Sequence, residues 1–136
     1  MQNKNTKAYW DLRFKSGSWD KTGSKQTTHY ALGNVKHMDL DSDFSGKILD
    51  FGCALGDAIP VFKSAFPKAD FYGLDISEEA IKICKEKYGK LAQFKCGTHE
   101  SVENTDVIIA SHVMEHITDD KKIVNVLLSK CETLYI

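Results

Sequence analysis

The sequence has no excess of either charge: eighteen lysines and arginines face nineteen aspartates and glutamates, for a formal net charge of −1 over 136 residues. That balance argues against a basic surface built for nucleic-acid phosphates or anionic lipid. No apolar run reaches the length of a membrane span, and the opening residues MQNKNTKAYW lack the apolar core of a secretion signal. The four cysteines, Cys53, Cys84, Cys96 and Cys131, contain no Cys-x-x-Cys pair. That spacing suits reduced thiols in a cytoplasmic protein better than a disulfide framework or a zinc site. Internal repeats and low-complexity segments are also missing. What is present, 42% hydrophobic and 27% charged residues, is the balance of one soluble domain with a single core.

The segments alternate. Asn5–Lys15 carries Tyr9, Trp10 and Phe14 at helical spacing, a polar loop is expected over Ser16–Thr28, and a second helix over His29–Leu40. From residue 47 the pattern becomes strand and helix in turn. Strands are expected over 47–51, 70–75, 91–95, 106–111 and at the closing TLYI. Helices are expected over Asp57–Phe66, after the capping Ser77, and over Asp119–Ser129 with Val124, Leu127 and Leu128 facing inward. Near-continuous apolar strands joined by helices predict an α/β fold: a Rossmann-like, doubly wound, mostly parallel sheet. Residues 1–46 form an added N-terminal helical segment and 47–136 the ligand-binding core of one domain. In such sheets ligands lie beyond the carboxyl ends of the strands.

The first strand runs into ILDFGCALGD, residues 48–57. Gly52 and Gly56 let the backbone turn sharply and let a ligand approach it. The third glycine of the dinucleotide fingerprint is missing, and Asp50 stands two residues before the first glycine. An acid there would repel a pyrophosphate and attract an ammonium group, which disfavours a nicotinamide-dependent dehydrogenase. Asp75, at the end of the second strand, is placed to accept hydrogen bonds from ribose hydroxyls. An adenosine with a cationic amino-acid tail and no phosphate satisfies both acids, and S-adenosylmethionine is such a molecule.

ILDFGCALGD, FYGLDIS and DVIIASHVMEHI, with YWDLRFKSGSW ahead of them, resemble the motifs of class I S-adenosylmethionine-dependent methyltransferases of the small-molecule type. The resemblance spans about Tyr9 to Ile136 and implies a methyl transfer to a small-molecule acceptor that leaves S-adenosylhomocysteine. It implies that Gly52, Ala54 and Gly56 pass along the methionine part, that Asp75 holds the ribose with Ile76 on the adenine, and that Ser111 and His112 line the floor near the sulfonium. The family's third-strand Gly-Asp is replaced by Gly97-Thr98, which leaves Thr98 and His99 at the adenine edge. The middle glycine of the first motif is Ala54, harmless at negative φ and a defect at positive φ. The family sheet has seven strands, so this chain is expected to stop after the fifth. A non-catalytic S-adenosylmethionine or S-adenosylhomocysteine binding module is therefore the alternative function, and the apolar last strand is expected to leave an edge open to homodimer formation.

Several residues keep two readings. Trp10, with Tyr9 and Phe14, either covers the core or closes over the cofactor. Arg13 either pairs with the cofactor carboxylate or is solvated. His112 and His116 belong to an H-x-x-E-H string that spells an inverted zinc-peptidase motif, but the string follows a buried strand and no metal is expected. Either histidine could instead take the proton of an acceptor hydroxyl, since imidazole accepts protons near neutral pH. Structural service for His116, at the turn into the next helix, is the other reading.

Overall fold

A computed structural model describes residues 6–136; Asn5, where the sequence places the start of the first helix, lies outside the described residues. Strands β1 (Lys47–Phe51), β2 (Asp70–Asp75), β3 (Gln93–Cys96), β4 (Val107–Ile109) and β5 (Thr133–Tyr135) form one sheet in the order β3-β2-β1-β4-β5. All four pairings are parallel. Ile48 to Phe51 are buried without interruption, as a strand covered on both faces requires.

The helices are α1 (Lys7–Lys15), α2 (Gly23–His37), α3 (Ile59–Ala65), α4 (Glu78–Tyr88) and α5 (Asp120–Leu128). On one face of the sheet, Ala31 of α2, Ile59 and Phe62 of α3, and Ile81 and Cys84 of α4 pack against Ile48, Phe71 and Ile109. On the other, Leu127 and Ile123 of α5 with Val102 and Met114 cover Leu49, Leu74 and Ile108. The chain is thus an α/β doubly wound sheet. A third, smaller cluster joins Phe14 of α1 to Leu55 and Ala80, with Trp10 and Trp19 against it. As expected, Pro60 falls in the first turn of α3, and the Ser77 hydroxyl accepts the Ala80 N–H at 3.2 Å as the cap of α4.

Three expectations are corrected. The segment expected as a loop through Thr28 is helical from Gly23, and α2 ends at His37. Its Ser/Thr residues read as loop formers, but Thr27 and Thr28 donate their hydroxyls to the carbonyls of Gly23 and Ser24, one turn back. The first residue of this helix is a glycine, and Trp19 lies against it where a Cβ would be. Strand β3 starts two residues later than expected, since the Leu91 and Ala92 N–H groups both turn back to the Tyr88 carbonyl. On α5, Ile123 packs on the core and Leu128 is 52% exposed. With Leu127 at the centre of the buried stripe, the position after it rotates past the rim.

Candidate functional site

The carboxyl ends of β1, β2 and β4 open onto two adjoining cavities. One, of about 340 Å³, is lined mainly by apolar groups, among them Phe51, Leu74, Ile76, Val113 and Ile123, with Asp75, Thr98 and His99 on its wall. The other, of about 380 Å³, is bounded by Tyr9, Trp10 and Arg13 of α1, by α2, and by Asp50, Ser111 and Glu115. Trp10, Trp19, Gly52, Ala54, His112 and His116 belong to both. The glycine loop is the floor at their junction.

The loop is left-handed at three points, Gly52 (φ 75°), Ala54 (φ 49°) and Gly56 (φ 83°). Gly52 is required, since Val113 lies where its Cβ would be. Ala54 falls on the unfavourable side of the sequence expectation. It is held there because its N–H donates to Asp75 Oδ2 at 2.9 Å and its carbonyl accepts from Cys84 Sγ at 3.1 Å. Gly56 lies off both cavities, against Tyr88 and Cys84, and so shapes the back of the loop. There Tyr88 donates to Asp57 Oδ1 at 2.6 Å, and burial followed by this bond pushes the Tyr88 hydroxyl up to about 12.

Asp75 is 9% exposed, and its second oxygen accepts the Ser77 N–H at 3.0 Å. Burial outweighs these bonds and pushes its carboxyl up to about 6. Asp50 is 6% exposed, and its carboxyl receives no hydrogen bond among the described residues. Burial, and then the charge of Asp75, push it up to about 7. Across the same cavity the Arg13 guanidinium lies over the Trp10 and Trp19 rings, at 5.9 and 5.4 Å, and donates to the Tyr9 hydroxyl at 3.3 Å. Its Nε is buried without a partner. A buried carboxyl with no donor and a guanidinium whose Nε has no acceptor are the two groups an amino-acid zwitterion would satisfy.

After β4 the chain turns through His112, whose φ is +55°. Its ring stacks on Tyr30 at 3.8 Å, and the His116 ring meets Trp10 edge-on at 5.3 Å. Glu115 lies between them, with its Oε1 3.6 Å from His112 Nδ1 and 4.0 Å from His116 Nε2. The H-x-x-E-H string therefore makes an acid–imidazole cluster at the cavity mouth. Among the described residues no group of three metal-ligating side chains converges on one point.

Thr98 and His99 reach the cavity wall by way of a short 3-10 turn, where the Thr98 hydroxyl also accepts the Glu100 N–H at 3.3 Å. The sequence reading expected only the second half of α2 and gave it no place at the site. Gly23, Gln26, Thr27, Tyr30, Ala31 and Asn34, spaced as one helical stripe, all line the second cavity. The stripe holds no charged residue, and its signal was the spacing itself, hidden by a composition typical of loops.

Residues 49–132 match the sequence profile of a methyltransferase domain. No curated protein matches the chain. Among solved structures, the plantazolicin methyltransferase BpumL, in complex with a pentazolic desmethylPZN analog and S-adenosylhomocysteine, superposes with a TM-score of 0.74 at 20% identity. That match covers 96% of this chain and 54% of the other. A Haloferax volcanii methyltransferase in complex with its Trm112 activator gives 0.72 at 16% identity, covering 86% and 53%. YcgJ from Bacillus subtilis gives 0.59 at 22%, covering 73% and 44%. The chain therefore spans about half the length of these structures or less. No described helix is long and apolar enough to cross a membrane. The sequence profile across most of the sheet, together with the shared fold, shows that this chain belongs to the class I S-adenosylmethionine-dependent methyltransferases.

Proposed function

We propose that the chain binds S-adenosylmethionine across the two cavities and moves its methyl group to a small-molecule acceptor lying between α2 and the His112–His116 turn. The observation that carries this reading is the pairing of Asp50 and Arg13 on one cavity with Asp75 on its neighbour, either side of the glycine loop. When bound, S-adenosylmethionine supplies an electrophilic methyl group on a sulfonium whose departure leaves a neutral thioether. The residues have separate tasks. Asp50 takes the ammonium group and Arg13 the carboxylate. Asp75 accepts from the ribose hydroxyls on lone pairs that Ala54 and Ser77 leave free. Ile76, Thr98 and His99 border the adenine, and Gly52, Ala54 and Ser111 border the reacting end. His112 or His116, each turned toward the Glu115 carboxylate, takes the proton that an acceptor hydroxyl gives up. Positioning of the acceptor is the larger contribution, because the leaving group needs no proton.

The neutral α2 stripe supports an uncharged acceptor, held by Gln26, Asn34 and the Tyr30 hydroxyl. The binding of S-adenosylhomocysteine by BpumL, with the same fold, supports the cofactor assignment. The test is a methyl-transfer assay with labelled S-adenosylmethionine and a panel of uncharged, acidic and basic acceptors, run beside calorimetry with S-adenosylhomocysteine and NAD. His112→Ala and His116→Ala are each made. One of them is expected to lower turnover roughly 100- to 10,000-fold with S-adenosylhomocysteine affinity little changed. Tighter binding of NAD than of S-adenosylhomocysteine would overturn the cofactor assignment. Binding without transfer to any acceptor would favour a binding module.

A further inference from the structure

Asp11 stands between Trp10 and Arg13, which line the cavities, yet its carboxylate reaches the other way, to the start of α4. Its Oδ1 accepts the Ser77 hydroxyl at 2.5 Å and lies 3.4 Å from the Glu79 N–H, while Oδ2 meets Lys7 Nζ at 2.6 Å. Burial works against the charge of Asp11, but the hydrogen bonds from Lys7, Ser77 and Glu79 together hold its carboxyl below the usual range. Ser77 is wholly buried, and its N–H is the group that Asp75 Oδ1 accepts. Asp75 Oδ2 in turn accepts the Ala54 N–H. An unbroken run of hydrogen bonds thus joins the glycine loop, the end of β2, the start of α4 and α1. Phe14, the one buried residue of α1, and the half-buried Trp10 anchor the helix in the small apolar cluster with Leu55 and Ala80. The carboxylate contact adds the polar tie from α1 to the start of α4.

We propose that Asp11 is a positioning residue for the cofactor site: through Ser77 it sets α1 against the segment by which Asp75 holds the glycine loop, and so places Trp10 and Arg13 over the two cavities. This rests on the cofactor reading of those cavities. Docking of α1 and binding of cofactor then share Ser77 and favour each other, and by linkage the two effects are equal. The factor by which an undocked α1 weakens the ligand is the factor by which ligand favours docking. Lys7 belongs to the same contact, since it lies 2.6 Å from Asp11 and 3.6 Å from Glu78 and offsets two acids gathered at one helix start.

The experiment measures hydrogen exchange of the α1 amides, S-adenosylhomocysteine affinity by calorimetry and the urea midpoint, in the full chain and in Asp11→Ala and Asp11→Asn. Loss of a partly buried charged acceptor is expected to speed exchange across residues 11–15 roughly tenfold in Asp11→Ala and to weaken S-adenosylhomocysteine roughly tenfold. Exchange in α3 and the urea midpoint should hardly move. Asp11→Asn keeps an oxygen for the Ser77 hydroxyl and should recover most of both losses, which a purely structural defect would not predict. It also serves if Asp11→Ala fails to fold. Unaltered α1 exchange in Asp11→Ala, or a loosened α1 with unaltered affinity, overturns the proposal. If the parent protein does not bind S-adenosylhomocysteine at all, the cofactor reading itself fails. Binding by the parent with equal affinity in Asp11→Ala removes the positioning role alone.

Discussion

Replacing Asp75 by asparagine separates the two tasks of this carboxylate, anchoring the loop and holding a ribose. In the folded chain it accepts the Ala54 N–H at 2.9 Å and the Ser77 N–H at 3.0 Å. A hydrogen bond to a charged acceptor contributes about 1.5–3 kcal/mol, and an amide nitrogen in place of either oxygen would face an N–H donor and lose that bond. An opposing effect offsets much of this loss. Burial raises the carboxyl from 3.8 to about 6. A rise of about two pKa units corresponds to roughly 3 kcal/mol held against the charged form, which the neutral amide escapes. The two effects nearly cancel, so the stability of the ligand-free protein should change by no more than about 1–2 kcal/mol. Ligand binding has no such offset, because the ribose hydroxyls lose a charged acceptor. S-adenosylhomocysteine affinity is expected to fall roughly 10- to 150-fold. Urea denaturation reads the first effect and calorimetry the second, on the same preparations. Unchanged affinity would remove Asp75 from the site. A stability loss above about 4 kcal/mol would show that loop anchoring dominates and that the offset is misjudged.

Four more outcomes follow from Ala54, Asp50 and strand β5. Ala54→Gly relieves a left-handed alanine and should stabilise the protein by about 0.5–1 kcal/mol, with S-adenosylhomocysteine affinity unchanged; a lower melting temperature would mean that the Ala54 methyl packs too well to lose. Asp50 is raised in the fold to about 7, so the ligand-free protein should lose stability as pH rises from about 4 to about 7, where the unfolded chain ionises this acid and the folded one resists. An ammonium ligand needs the ionised form, so S-adenosylhomocysteine affinity should climb between about pH 6 and pH 8 and flatten in Asp50→Asn; a flat profile in the parent protein would refute the pairing. Strand β5 pairs with β4 alone among the described residues, and its open edge should let the 136-residue chain self-associate; a monodisperse monomer in light scattering at high concentration would refute that.

The sheet was legible because its signal is coarse. Four successive buried residues in β1, a glycine after them and an acid at the end of β2 announce a parallel sheet and its ligand edge. The misreadings have local physical causes. Gly23–Thr28 reads as loop because serine, threonine and glycine favour loops; in the fold Thr27 and Thr28 turn their hydroxyls to carbonyls of their own helix, and Ala31 docks that helix on the core. Leu128 reads as core because a short apolar stripe leaves its rotational phase open by one residue. The hand of the backbone at Ala54 is invisible in a sequence, since it depends on a carboxylate 21 residues away. The link from Asp11 to Ser77, across 66 residues, is likewise a product of the fold.

The uniform direction of the five strands has a consequence for how this protein can diverge. Every turn that meets the cavities lies at one end of the sheet, and the α2 stripe lies beside that end, outside the ladder altogether. Gln26, Tyr30 and Asn34 can therefore be exchanged over generations without breaking any pairing between strands. On the proposed reading of that cavity, a new acceptor preference is open to a lineage through a handful of changes on one helix. Asp75 and Ser77 have no such latitude, because the backbone groups they hold belong to the frame on which the new preference would be displayed.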